Sequence, residues 1–171
     1  MVTVITRDDF PKLIDHYQYK TAVEVGVGHG VNSMYLLDNS SLTTLHGVDN
    51  FSVRSYRKSQ EQTKTKLSRY GERFHLMEMD SSAAAKEFAD GSLDFVYIDG
   101  GHRYKSVRAD LHAWYPKVKQ GGFFGGHDYI ITRGCGVVQA VTEFSTKIKR
   151  EFAITQEPDG GPMNRSFWLI K

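Results

Sequence analysis

The chain has 171 residues, 40% of them hydrophobic and 25% charged, which suits one soluble globular domain over residues 1–171 with room for a buried core. A net charge of +2 disfavours a general polyanion-binding role, and a lone cysteine, Cys135, excludes an internal disulfide or a four-cysteine zinc site and suits a reducing, cytoplasmic compartment. Asp8 and Asp9 precede any long apolar run, so no signal peptide is expected, and no stretch approaches the ~20 apolar residues of a membrane span.

Phe10, Leu13 and Ile14 recur at helical spacing and predict a first helix over Arg7 to His16. The stretch TAVEVGVGHG that follows opens on an apolar run, Ala22, Val23, Val25 and Val27, which reads as a buried strand. A helix is expected from Val31 to Asp38 and a short strand from Thr44 to Val48, ending at Asp49. Arg54 to Tyr70 is polar and helical. Phe74 to Met79 reads as a third strand closed by Asp80, after which Ser81 can cap a short alanine-rich helix ending near Ala89. Leu93 to Ile98 predicts a fourth strand ending at Asp99, and Tyr104 to Tyr115 a helix stopped by Pro116. Gly121-Gly122 suggests a turn into a fifth strand, Phe123 to Gly126. A helix over Gly136 to Lys149 precedes two strands, Phe152 to Thr155 and Ser166 to Ile170, read as a hairpin around Pro158 to Pro162. Strands alternating with helices predict an α/β fold. Its sheet is Rossmann-like and doubly wound, of about seven strands, mostly parallel with an antiparallel C-terminal edge.

The first strand runs straight into Gly26, Gly28 and Gly30 at alternate positions. Glycines there permit a tight turn and close approach of backbone to a ligand, and the following helix aims its first N–H groups back at that ligand. The third glycine comes one residue too early for the G-x-G-x-x-G dinucleotide fingerprint, and no P-loop sequence is present. Four predicted strands end at or near an acid: Asp49, Asp80, Asp99 and Asp128. Ligands of open α/β sheets bind just beyond those carboxyl ends.

With Glu24-x-Gly26-x-Gly28-x-Gly30 leading into that row of acids, the chain resembles the class I S-adenosylmethionine-dependent methyltransferases over nearly its whole length. The resemblance implies that Glu24 and the turn glycines Gly26, Gly28 and Gly30 hold the methionine end of S-adenosylmethionine. It implies that Asp49 binds the ribose hydroxyls and that Asp80 and Ser81 recognise adenine. The segments FVYIDGGHRY and GGFFGGHDY are similar to those of small-molecule and sugar O-methyltransferases. In that subgroup Asp99 and Asp128 help to hold a divalent cation such as Mg²⁺, and His102 acts as general base. Two oxygen donors stand where better-known metal-dependent members offer three. His127 neighbours them, suited to a softer metal or to a second base, and Asp99 equally suits the cofactor's amino group without a metal.

The chemistry is coherent: an imidazole can accept the proton of a hydroxyl nucleophile, and a cation would lower that hydroxyl's pKa. The expected reaction is therefore O-methylation of a hydroxyl on a small or glycosidic acceptor, a sugar hydroxyl being the first to screen. The alternatives are a nicotinamide-dependent dehydrogenase, which Asp49 would also serve, and a cofactor-binding module without catalysis. Nucleic acid is a disfavoured acceptor, because D-G-G-H stands where an N/D-P-P-Y/F/W motif would be needed. The basic stretch of Arg54, Arg57, Lys58, Lys64, Lys66 and Arg69 reads first as a solvated face and second as a surface for an acidic substrate. The few residues before the first strand leave little for a lid, so an open site or a homo-oligomer is expected. Arg54, Tyr56 and the segment Tyr129 to Arg133 are candidate walls of the acceptor pocket.

Overall fold

A computed structural model describes residues 3–158 and 164–171. Seven strands form a single sheet in the order β3-β2-β1-β4-β5-β7-β6. These are β1 (Thr21–Val25), β2 (Thr44–Val48), β3 (Phe74–Met77), β4 (Leu93–Ile98), β5 (Val118–Gly126), β6 (Ala153–Ile154) and β7 (Phe167–Ile170). The first five are parallel, while β7 runs antiparallel to both β5 and β6. The helices are α1 (Phe10–Tyr17), α2 (Val31–Asn39), α3 (Arg54–Leu67), α4 (Ser81–Ala84), α5 (Tyr104–Trp114) and α6 (Val137–Ile148). No helix among the described residues is long and apolar enough to cross a membrane.

Alternation along the strands divides the core into two layers. Phe95 and Tyr97 of β4 face Phe10, Leu13 and Ile14 of α1 and Leu36 and Leu37 of α2. Val96 and Ile98 face Val107, Leu111 and Trp114 of α5 and Val137, Val141 and Phe144 of α6. All six residues of β4 are buried, as a central parallel strand requires. Full burial of each large apolar side chain contributes roughly 1.5–3 kcal/mol, so these two layers set the sheet's position firmly.

The apolar runs β2 and β4 have the predicted limits, β1 stops at Val25 where Gly26 turns the chain, β3 stops at Met77 rather than Met79, and the other differences lie where glycine and short helices intervene. The first predicted helix divides into a 3₁₀ turn over Arg7–Asp9 and α1. The third helix ends at Leu67 and continues as 3₁₀ turns to Arg73, with Gly71 at φ 52°. The alanine-rich helix is shorter than expected, α4 giving way to a 3₁₀ turn over Ala85–Glu87. The fifth strand begins at Val118, not Phe123, and Gly121-Gly122 lies inside it, beside a register shift against β4. A Cβ at Gly122 would sit 2.9 Å from the Asp94 carbonyl oxygen, so the glycine pair lets the strand bulge past β4 without ending. The C-terminal strands pair as an antiparallel hairpin, with Ala153 opposite Trp168 and Ile154 opposite Phe167. Residues 159–162 of the expected hairpin turn lie outside the described residues.

The chain runs outward from β1 to β2 and β3, then returns to place β4 on the other side of β1. The crevice of such a sheet opens at this reversal, between the carboxyl ends of β1 and β4.

Candidate functional site

The glycine turn fills that crevice. Gly26, Gly28 and Gly30 have φ values of 94°, 54° and 76°, which disfavour any side chain. A Cβ at Gly26 would lie 2.1 Å from the Asp99 carbonyl oxygen, so only glycine lets the two strand ends meet. Thr63 of α3 donates to the Gly28 carbonyl at 3.2 Å, and the Tyr56 ring lies against Gly28. The Asp49 carboxylate accepts from the Gly28 N–H at 2.8 Å and from the Phe51 N–H at 2.7 Å. Asp49 thus fixes the turn and remains at the edge of the crevice with lone pairs to spare.

A cavity of about 780 Å³ begins at this turn. It is lined by Asp49, Asp80, Ser81 and Asp110 and by Asp99, His102, His127 and Asp128, Asp99 lying directly against Gly26. Ten of the eleven site residues expected from the sequence line it; the eleventh, Gly30, caps α2 and packs on Leu67. Of the expected acceptor walls, Tyr56 lines the cavity, and neither Arg54 nor any of Tyr129–Arg133 does.

Glu24 points to the α1/α2 face by strand alternation and is only 1% exposed. It accepts from the Asn32 side chain at 2.8 Å and from the Ser33 hydroxyl, tying the first turn of α2 to β1. Burial pushes its carboxyl up to about 7 against the lowering effect of those two donors.

Asp80 caps α4 by accepting from the Ser82 N–H at 2.9 Å. The Ser81 hydroxyl is engaged inside the protein: it donates to Asp110 at 2.6 Å and accepts from the Trp114 indole N–H at 2.8 Å. Any adenine contact at Ser81 therefore falls to its backbone. Asp110 is 5% exposed, and burial raises its carboxyl to about 6. The sequence motifs passed over Asp110; the signal that could have found it is a carboxylate on an apolar stripe of helical spacing, Val107, Asp110, Leu111 and Trp114.

After β4 and β5 the structure joins two residues given separate roles by the sequence. His102 Nε2 lies 2.8 Å from Asp128 Oδ2. The Asn164 amide, which no sequence motif marks, donates to Asp128 Oδ1 at 2.9 Å. Asp128 has a left-handed φ of 55°, and the Cys135 thiol donates to its carbonyl at 3.6 Å. Burial opposes ionisation of Asp128, but hydrogen bonds from His102 and His127 outweigh it and hold the carboxyl below its usual range. The same hydrogen bond raises the His102 imidazole above its ordinary value, against the desolvation that lowers it. With Nε2–H directed at Asp128, the lone pair of neutral His102 resides on Nδ1.

Asp99, His102 and Asp128 offer ligand atoms all within 4.8 Å of one another, a donor set that a divalent cation could share. His127, the nitrogen ligand considered from the sequence, is 7% exposed. Its Nδ1 lies 3.6 Å from Asp99 Oδ1 and 3.5 Å from Asp128 Oδ2. Arg7, unmarked by any motif, reaches the same corner from the N-terminal 3₁₀ turn, 3.9 Å from Asp99. Two of the basic residues of α3 are engaged within the protein. Arg57 donates to the carbonyls of Phe51 and Ser52, and Lys64 pairs with Glu61 and Glu78.

A turn of alternate glycines, a carboxylate held at its edge and further acids beside them are groups that a nucleoside bearing an amino-acid end could use. Comparison with known proteins bears on the family and the fold. A methyltransferase-domain family model matches residues 23–129. An uncharacterised protein of Acanthamoeba polyphaga mimivirus is 25% identical over 113 residues, which are 64% of this chain and 51% of that protein, so the chain spans about half the length of this curated relative. Among solved structures, an rRNA-methylase candidate from Clostridium thermocellum superposes with a TM-score of 0.69 at 15% identity, covering 98% of this chain and 96% of the other. A caffeoyl-CoA O-methyltransferase candidate from Staphylococcus aureus gives 0.67 at 14% identity, covering 99% and 86%. Such low identities show a shared fold alone. With its glycine turn and strand-end acids inside a family match that takes in more than half of its residues, the chain belongs to the class I S-adenosylmethionine-dependent methyltransferases.

Proposed function

We propose that this methyltransferase acts on a hydroxyl group of a small acceptor, with His102 as general base. The observation that carries this reading is the 2.8 Å contact of His102 Nε2 with Asp128 on the wall of the cavity. When bound, the cofactor supplies an electrophilic methyl group on a sulfonium. The chain's task is to hold a nucleophile in line with it and remove its proton. Asp128 fixes the imidazole's tautomer and leaves Nδ1 to accept that proton. Asn164 holds the other carboxylate oxygen. Glu24, Gly26 and Gly28 shape the methionine end, Asp49 receives the ribose hydroxyls, and Asp80 with the Ser81 backbone borders the adenine. A sugar is the first acceptor class to screen, because its hydroxyls need a base before they react.

A second reading is favoured by the 4.8 Å grouping of Asp99, His102 and Asp128. These residues would hold a divalent cation, whose contribution would be to orient the acceptor hydroxyl and lower its pKa. The two readings compete for His102, because a nitrogen that ligates a cation does not donate to Asp128.

His102→Ala tests the base. It should leave S-adenosylhomocysteine affinity within about twofold while lowering turnover by ~10²–10⁴-fold, the range for loss of a general base. Retained turnover would refute the role. Turnover with and without chelator separates the readings, since the dyad alone predicts no loss.

A further inference from the structure

The N-terminal 3₁₀ turn is built with more care than an entry segment needs. Thr6 accepts from the Asp8 N–H, and the Asp9 carboxylate accepts from the N–H groups of Ile5 and Thr6 at 2.9 and 3.2 Å, closing a capping box. The Tyr35 hydroxyl of α2 donates to the Asp8 carbonyl at 3.0 Å. The Glu157 N–H, beyond β6, donates to the Ile5 carbonyl at 3.1 Å. These bonds fasten the turn to two separate parts of the fold, and the residue delivered to the cavity is Arg7.

Arg7 lines the cavity together with Glu24, Gly26 and Asp99, and its side chain is 22% exposed. Its guanidinium is 3.9 Å from Asp99 Oδ2, an ion-pair distance and too long for a hydrogen bond. Arg7 and Asp99 also act on buried Glu24 in opposite senses, Arg7 lowering its pKa and Asp99 raising it. One fixed cation and one fixed anion therefore stand side by side at the glycine-turn end. An α-amino acid presents the complementary pair: an ammonium suited to Asp99 and a carboxylate suited to the planar guanidinium fork.

We propose that Arg7 recognises the carboxylate of the cofactor's amino-acid end and so makes this site selective for the carboxylate-bearing sulfonium over its decarboxylated form. The proposal rests on the methyltransferase reading of the cavity and assigns a selectivity within it. The adenosine and the sulfur are common to both forms, so nothing else lining the cavity needs to distinguish them.

Calorimetric titration of S-adenosylhomocysteine and of decarboxylated S-adenosylhomocysteine tests this, using the full chain and its Arg7→Met variant. Methionine keeps the apolar stem and removes only the charge. The unaltered chain should bind the carboxylate form about 10- to 100-fold more tightly, as expected for a hydrogen bond between charged groups. Arg7→Met should lose that factor for the carboxylate form and bind the decarboxylated form as before. Equal affinities for the two ligands in the unaltered chain would overturn the proposal without involving any variant. An equal loss for both ligands in Arg7→Met would overturn it too, making Arg7 a structural support. Binding of neither ligand by the unaltered chain would remove the cofactor reading itself, and the proposal with it.

Discussion

Replacing Glu24 by glutamine should make the protein more stable at alkaline pH and a poorer binder of its cofactor. Burial raises the Glu24 carboxyl from an ordinary 4.5 to about 7, so the folded state holds this proton more tightly than the unfolded chain does. The sign follows. Stability from this group is complete below pH 4.5, falls as pH rises from 4.5 to 7, and stays low above that. The difference between 7 and 4.5, at 1.36 kcal/mol per pH unit, is about 3 kcal/mol lost by the charged form. Glutamine still offers an oxygen to the Asn32 side chain or the Ser33 hydroxyl but carries no charge to desolvate. Urea unfolding of both proteins at pH 5 and pH 8 isolates the effect, because every other titrating group cancels in the comparison. The variant should gain roughly 1–3 kcal/mol at pH 8 relative to pH 5, some 2–4 °C of Tm per kcal/mol for a chain of this size. An equal stability change at the two pH values would refute the reasoning and show that the Glu24 carboxyl ionises as readily in the folded as in the unfolded chain.

Gly26→Ala should abolish cofactor binding and destabilise the fold measurably by urea titration. The new methyl group meets the Asp99 carbonyl backbone at 2.1 Å, and neither strand end can withdraw without breaking sheet register. Asp49→Ala should weaken S-adenosylhomocysteine binding while leaving His102 in place. It should also raise hydrogen exchange at Gly28 and Phe51, whose N–H groups lose their acceptor. Ser81→Ala leaves both Asp110 and the Trp114 indole without a buried partner, so a loss of about 1–3 kcal/mol in chemical denaturation is expected. Unchanged stability there would mean that water replaces the hydroxyl.

The parts of the site legible in the sequence are those written into one strand and the turn after it. TAVEVGVGHG specifies a buried strand and a turn whose three glycines take positive φ, both by local rules. Asp49 and Asp99 were legible for the same reason, since each directly follows the buried apolar end of its strand, Val48 and Ile98. The partnership of His102 with Asp128 was not, because 26 positions separate them and only the adjacency of β4 and β5 brings them together. Asn164 and Arg7 depend on still longer-range closure and carry no pattern of their own. The start of β5 was misread for the opposite reason. Gly121-Gly122 is strong local turn chemistry that pairing with β4 overrides.

The position of β7 bears on the order in which the sheet can close. It follows β6 along the chain, yet it lies between β5 and β6 in the sheet. Until it inserts, β5 is an open edge carrying Phe123 and Phe124, and Asp128 lacks its Asn164 amide. The glycine turn rests on β1, β4 and α3 and can assemble before that insertion, whereas the Asp128 partner of His102 is secured only after it. In that interval an exposed, apolar strand edge is available to other chains.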